Sequence, residues 1–235
     1  MKKSKSIILL VIFSILILIG GLIVTRVIQQ VTSGGFDRAK IEKQLDYMSE
    51  VYPTPKVSDL FKKFPKGFEI KYVLSDHSKA AYTGGKDIDH FIILTGKSET
   101  KEIQGVYYQE ERKVDDEVRT EEISIRYTED GGIVKLDGTP VNEKVSQIKF
   151  LFTNLTLNKE ILSTFKIRSY FKNPVSGDDE ITYIFKDSWV SKQLSASKET
   201  ELDINFTYLQ PSSPYLSMIS LSSGDESLFE IIDAK

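Results

Sequence analysis

The sequence predicts an α+β protein, with one N-terminal transmembrane helix followed by a mostly antiparallel sheet domain whose helices pack on one face. Three observations carry this expectation. An uncharged apolar run occupies Ile7 to Val24, and after Gly67 the apolar period shortens from about 3.6 residues to 2. The later strands also stand in groups, without the intervening helices that parallel βαβ winding needs.

The N-terminal run of eighteen residues follows Lys2, Lys3 and Lys5 and precedes Arg26. At 1.5 Å per residue such a helix spans about 27 Å, and Val27 and Ile28 extend it toward the ~30 Å of a hydrocarbon core. A cleavable signal has a shorter apolar region and a small-residue cleavage site, and Arg26-Val27-Ile28-Gln29-Gln30 is a poor one. A buried core helix seldom lacks a polar face. The expected organisation is a basic cytoplasmic tail over 1–6, a signal-anchor helix over 7–28, a linker over 29–36 and an extracytoplasmic α+β domain over 37–235. That places a single-pass protein in the cell membrane with its N-terminus inside, and the membrane is engaged through the helix.

The absence of cysteine excludes disulfides, thiolate metal sites, a cysteine nucleophile and a lipid-modified cysteine. It fits an exported protein of a bacterium without disulfide machinery, a Gram-positive one before others. The net charge is −3, and the first thirty residues hold four cations and no acid, so the remainder lies near −7. Such a balance argues against nucleic acid as a partner and suits a basic one.

The elements of the domain follow in order. Phe36, Ile41, Leu45, Met48 and Tyr52 recur at helical spacing and predict a helix from Asp37 to Val51, closed by Pro53 and Pro55. Ser58 caps a shorter helix to Phe64. Strands are expected at Phe68–Ser75, Ile88–Thr95, Ile103–Gln109, Glu121–Thr128 and Ile133–Leu136. Asp130-Gly131-Gly132 and Asp137-Gly138 make turns, and Glu110 to Glu122 reads as a solvated loop or the outer end of a long hairpin. Helices return at Asn142–Thr153 and Asn158–Phe165. Strands then follow at Ile167–Phe171, Ile181–Phe185, Leu202–Tyr208, Leu216–Leu221 and Leu228–Ile232, with a helical turn or loop at Ser188–Leu194.

No catalytic residue, cofactor or metal ion is expected. Gly96-Lys97-Ser98 lacks the glycine five positions earlier that a phosphate-binding loop requires, since Phe91 stands there. His77 and His90, with Asp76, Asp87 and Asp89 nearby, lack the organised spacing of a zinc site. No Gly-x-Ser-x-Gly elbow occurs, and Asp178-Asp179-Glu180 lacks the ligand spacing of a calcium loop. Aromatic residues are plentiful. Tyr82, Tyr107 and Tyr108 are the candidate partner-binding residues, because one ring of the adjacent pair is expected to point outward.

Collinear segments carry a resemblance. They are Tyr52-Pro53 with Val57-Ser58-Asp59-Leu60, then Gln104-Gly105-Val106-Tyr107-Tyr108, then Gln147-Ile148-Lys149-Phe150-Leu151-Phe152, then Lys192-Gln193-Leu194, and last Asp203-Ile204-Asn205-Phe206-Thr207. Through these, over about three-quarters of the chain, it resembles the staphylococcal tandem lipoproteins, cell-surface proteins whose lipidated cysteine is missing here. The resemblance implies an α+β surface domain that binds a partner and has no catalytic motif. The expected function is a non-enzymatic binding protein with a protein partner, either a secreted antibacterial toxin that it neutralises or a host or envelope protein. The alternatives are a cell-wall or lipid-modifying enzyme, or a structural subunit of an envelope complex whose helix pairs through Gly20-Gly21.

Overall fold

The computed structural model describes residues 37–76, 87–113, 116–120, 122–146, 148–172, 179–208, 215–224 and 226–235. The chain divides into Met1–Phe36 and Asp37–Lys235, and every described residue belongs to the second unit.

Eleven strands form one antiparallel sheet. They are β1 Gly67–Asp76, β2 Asp87–Lys97, β3 Ile103–Lys113, β4 Asp116–Arg119, β5 Ile123–Thr128, β6 Gly132–Lys135, β7 Lys166–Lys172, β8 Asp179–Phe185, β9 Leu202–Tyr208, β10 Leu216–Ser223 and β11 Glu226–Ala234. Their order is β6-β5-β3-β2-β1-β11-β10-β9-β8-β7, with β4 paired to β3 alone. Two meanders thus run outward from the middle. The first strand and the last join them, in a register that runs from Phe68 opposite Ala234 to Asp76 opposite Glu226.

Register decides which side chains share a face. Ile70 lies opposite Leu94 and Ile232, and Tyr72 opposite Ile92 and Glu230, so these residues line one side across β2, β1 and β11. A side chain cannot fit at Gly105: a Cβ there would fall 1.7 Å from the Ile93 carbonyl oxygen, so glycine lets β3 close against β2. Gly96 is covered instead by the ring of Phe68, its cross-strand neighbour, 2.5 Å from where a Cβ would stand.

The helices are short. Helix α1, Arg38–Leu45, is capped by the Asp37 side chain, which accepts from the Lys40 amide, and it tightens into a 3-10 segment at Asp46–Glu50. A 3-10 turn at Val57–Asp59 leads into α2, Leu60–Lys63. Then come α3 Glu143–Ser146, α4 Leu151–Asn154, α5 Lys159–Thr164 capped by Asn158, and α6 Ser188–Gln193 capped by Asp187. Ring contacts bind the helical layer to the sheet on the side of Tyr72: Phe61 to Phe68, Phe150 to Tyr72, and Phe165 to Tyr183. Arg38 adds polar anchorage. Its Nη2 donates to the carbonyls of Leu162, Ser163 and Phe165 at 2.8–2.9 Å, and its Nε to Glu42 at 2.5 Å.

Three expectations are corrected. Over the described residues the molecule is mostly antiparallel sheet with few helices, in place of the α+β domain that was expected. No helix among the described residues is long and apolar enough to cross a membrane, and the longest α-helix of those described, α1, has eight residues against the roughly twenty that a span needs. The run Ile7 to Val24 lies outside the described residues. The single-pass placement, and the membrane as partner through that helix, are withdrawn with it. The helix expected over Asn142–Thr153 is also broken in two, because Phe150 takes extended dihedrals (φ −64, ψ 143) and α4 starts afresh after it.

The restart has a buried cause. Glu230, fully buried on β11, accepts hydrogen bonds from the Leu151 amide at 2.7 Å, the Phe152 amide at 3.2 Å and the Tyr52 hydroxyl at 2.9 Å. These are orphan donors at a helix start, and a carboxylate on the sheet satisfies them. Backbone pairing of Thr54 to Phe152 and Leu157 to Tyr52 then holds the two cover segments together. Burial pushes the Glu230 carboxyl up to about 7, against the lowering effect of its three donors.

Candidate functional site

The site is built on the face of the sheet opposite the helical contacts. Residues alternate across a strand, so the neighbours of Tyr72, Ile92 and Ile232 point the other way. There Tyr108, Phe91, Val73 and Phe229 form one row across β3, β2, β1 and β11. Val106, Ile93, Ile231 and Met218 form the next, extended to β10 and interrupted on β1 by Lys71. Lys71 pairs with Glu69 at 3.2 Å. Val73, Ile93, Val106, Met218, Phe229 and Ile231 are half-buried, while Phe91 and Tyr108 are buried as a stacked pair 4.8 Å apart.

The same face is polar farther along. Over β7, β8 and β9, Asn205 donates to Glu180 at 2.7 Å and to Thr182 at 3.0 Å, and Arg168 pairs with Asp203 at 2.6 Å. These groups satisfy one another. The apolar rows have no such internal partners to define them.

The candidate tyrosines fall out differently from expectation. Tyr82 lies outside the described residues. Tyr107 and Tyr108 are 3% and 5% exposed, so neither ring is open to solvent. Tyr108 lies between Phe91 and the Arg119 guanidinium, whose Cζ stands 3.5 Å from the ring centroid. Tyr107 sits on the other face in a chain of polar contacts that runs from Asn142 to His90. The Asn142 carbonyl oxygen accepts from the Val145 amide at 2.8 Å, so its amino group donates to the Tyr107 hydroxyl at 3.2 Å. The hydroxyl also lies 3.0 Å from His90 Nδ1, within hydrogen-bond reach. Burial pushes the Tyr107 phenol up.

His90, Gln109, Asn142, Glu143 and Lys144 line an open depression of about 510 Å³ over this chain. Among the described residues no three His, Cys, Asp or Glu side chains gather as a metal site would require. His77 and Asp178 lie outside the described residues, and Asp179 is taken up by Tyr170 and Lys172.

The apolar rows were missed at the level of sequence, although a signal existed. Phe91-Ile92-Ile93-Leu94, Val106-Tyr107-Tyr108 and Phe229 through Ile232 are runs without strict alternation, the pattern of strands apolar on both faces.

No family model matches the chain, and no curated protein matches it. Among solved structures it is similar to the Mycobacterium tuberculosis lipoprotein LppX, at 13% identity over 81% of this chain and 93% of that chain, with a TM-score of 0.37. The resemblance to the staphylococcal tandem lipoproteins therefore rests on the collinear segments alone.

Proposed function

We propose that the chain is a non-enzymatic binding protein that takes a protein partner on the outer sheet face between β3 and β10. The observation that carries this reading is the pair of apolar rows on the face away from the helical cover. Contiguous apolar surface on a rigid sheet is a usual place for a partner to dock. The acidic balance, near −7 beyond the first thirty residues, favours a partner with a basic rim around its apolar strip. Within this class the finer reading is neutralisation of a secreted antibacterial toxin, with a host or envelope protein as the other occupant of the same class.

The test uses the full chain and the product of any toxin gene beside its own. Calorimetry is expected to show a one-to-one complex, and a double Ile93→Glu, Phe229→Glu variant to keep its fold by circular dichroism while losing at least about a hundredfold in affinity. No complex with the wild type would sink the toxin reading, and full affinity in the variant would move the surface elsewhere.

A further inference from the structure

We propose that Glu230 is a pH-operated latch on the helical cover: while its carboxyl is neutral, the segments 51–54 and 151–157 stay closed on the sheet, and when it ionises they open locally. Its three donors all come from those segments, the Tyr52 hydroxyl at 2.9 Å from one and the Leu151 and Phe152 amides at 2.7 and 3.2 Å from the other. The segments are also tied to each other. The Thr54 amide donates to the Phe152 carbonyl at 2.7 Å and the Leu157 amide to the Tyr52 carbonyl at 3.2 Å, so the two move together. This inference is independent of the outer face and stands whether or not a protein docks there.

The latch rests on a carboxyl without a counter-ion. Glu230 has no exposure, and among the described residues no cation stands within ion-pair distance of it. Neutral donors offset only part of the cost of burying a charge, so burial favours the neutral acid. The groups that face it leave the titration to Glu230 alone. They are Tyr52, Tyr72 on β1 and Tyr215 just before β10, and burial pushes each of these phenols well up, so they stay uncharged near neutral pH. Beyond these, β10 brings Ser217 and Ile219, and α4 brings Leu151 and Phe152. Burial pushes Glu230 itself up to about 7.

Each protonation state has a place for its hydrogens. The ionised carboxylate accepts all three donors. The neutral acid, with its proton on the oxygen that Tyr52 shares, donates to the Tyr52 oxygen, and that hydroxyl turns to Ser217 Oγ, 3.5 Å away. Ser217 faces the Tyr215 hydroxyl, and Tyr215 lies against Tyr47 and near the exposed Glu50, so hydroxyls lead from the acid outward. The two closed states thus differ in hydrogen placement and in charge, and only the charge seeks water. Opening restores hydration to the carboxylate while the sheet ladders stay whole. The contacts it gives up include the ring of Phe150 on Tyr72, with centroids 5.7 Å apart. Closure is therefore fully supported below about pH 4.5, the ordinary carboxyl value, and loses that support as pH rises through about 7.

The experiment follows amide hydrogen exchange of the full chain by NMR from about pH 5 to 7.5, corrected for intrinsic rates, at several low urea concentrations. Protection at residues 54, 151, 152 and 157 is expected to fall about fiftyfold over that range with almost no urea dependence, the mark of local opening. Ile70 and Ile92 in the sheet are expected to stay better protected at every pH and to show the urea dependence of global unfolding. Glu230→Gln keeps the site neutral and is expected to hold the change at the cover below about threefold. Should that variant fail to fold, the carbon-13 titration of the Glu230 carboxyl in the wild type decides, with a midpoint of about 7 expected. A midpoint below about 5.5, protection that does not change with pH, or cover amides that share the urea dependence of the sheet would overturn the latch.

Discussion

The two faces of the central sheet are made from adjacent residues of the same strands, yet they serve different ends. On the inner face Ile70, Ile92, Leu94 and Ile232 are fully buried beneath the helical layer, and that layer is fixed by Glu230 and Arg38. On the outer face Ile93, Val73 and Ile231 are half-buried by their strand neighbours, and no comparable polar clamp defines a cover. The difference teaches where freedom lies. A face locked by buried hydrogen bonds is committed to stability, because any change there strands a donor or opens a cavity. A face buried only by sheet neighbours can change its chemistry at modest cost in folding, so it is the one available for recognition.

Breaking the clamp has the largest expected effect. Glu230→Ala leaves the amides of Leu151 and Phe152 and the Tyr52 hydroxyl without an acceptor, in a place water does not reach. The expected loss is about 3–5 kcal/mol, read from urea unfolding of variant and wild type. A loss below about 1 kcal/mol would mean that the helical cover is held by apolar contact alone, and the contrast between the faces would shrink to burial.

The same group predicts a pH dependence. Its carboxyl titrates near 7 in the folded protein because of burial, against an ordinary value of 4.5. Between those values the folded state holds the proton more tightly than the unfolded one, so the contribution to stability is full below about pH 4.5 and declines as pH rises through 7. Its size is on the order of 3 kcal/mol. Glu69 on the outer face works in the opposite sense: burial would raise it, but Lys71 and Lys235 together hold it below the usual range, so its contribution fades in acid. Denaturation midpoints across pH 4.5–8 are expected to fall for the wild type and to flatten in Glu230→Gln. Parallel slopes would assign the trend to other groups.

What was legible in the sequence follows the range of each signal. Leu202 to Tyr208 alternates cleanly because its neighbours are strands and its outer side is a polar ladder, so local pattern and tertiary role agree. The break at Phe150 was not legible: Val145, Ile148, Leu151 and Phe152 keep helical spacing, while the residue that restarts the helix lies 78 and 79 positions away. Tyr107 and Tyr108 were misjudged for a related reason. Arg119 covers Tyr108 from β4, a strand inside a stretch whose charges read as solvent-facing, and Asn142 reaches Tyr107 from beyond two further strands.

The smallest expected effect sharpens the comparison most, because it uses two adjacent isoleucines. Ile92 lies opposite Tyr72 and Tyr107 with no exposure, whereas Ile93 lies opposite Lys71 and Val106 and is half-buried. Ile92→Ala should cost about 2–5 kcal/mol, since it removes apolar area and leaves a cavity under a clamped layer. Ile93→Ala removes the same atoms from a site that solvent and neighbouring side chains can refill, and should cost about 1 kcal/mol. Chemical denaturation with a shared m-value measures both. The sheet hydrogen bonds and β-propensity are common to the pair, so the difference isolates the cover. Equal losses would show that the outer face is as closed as the inner one, and a docking role there could not stand.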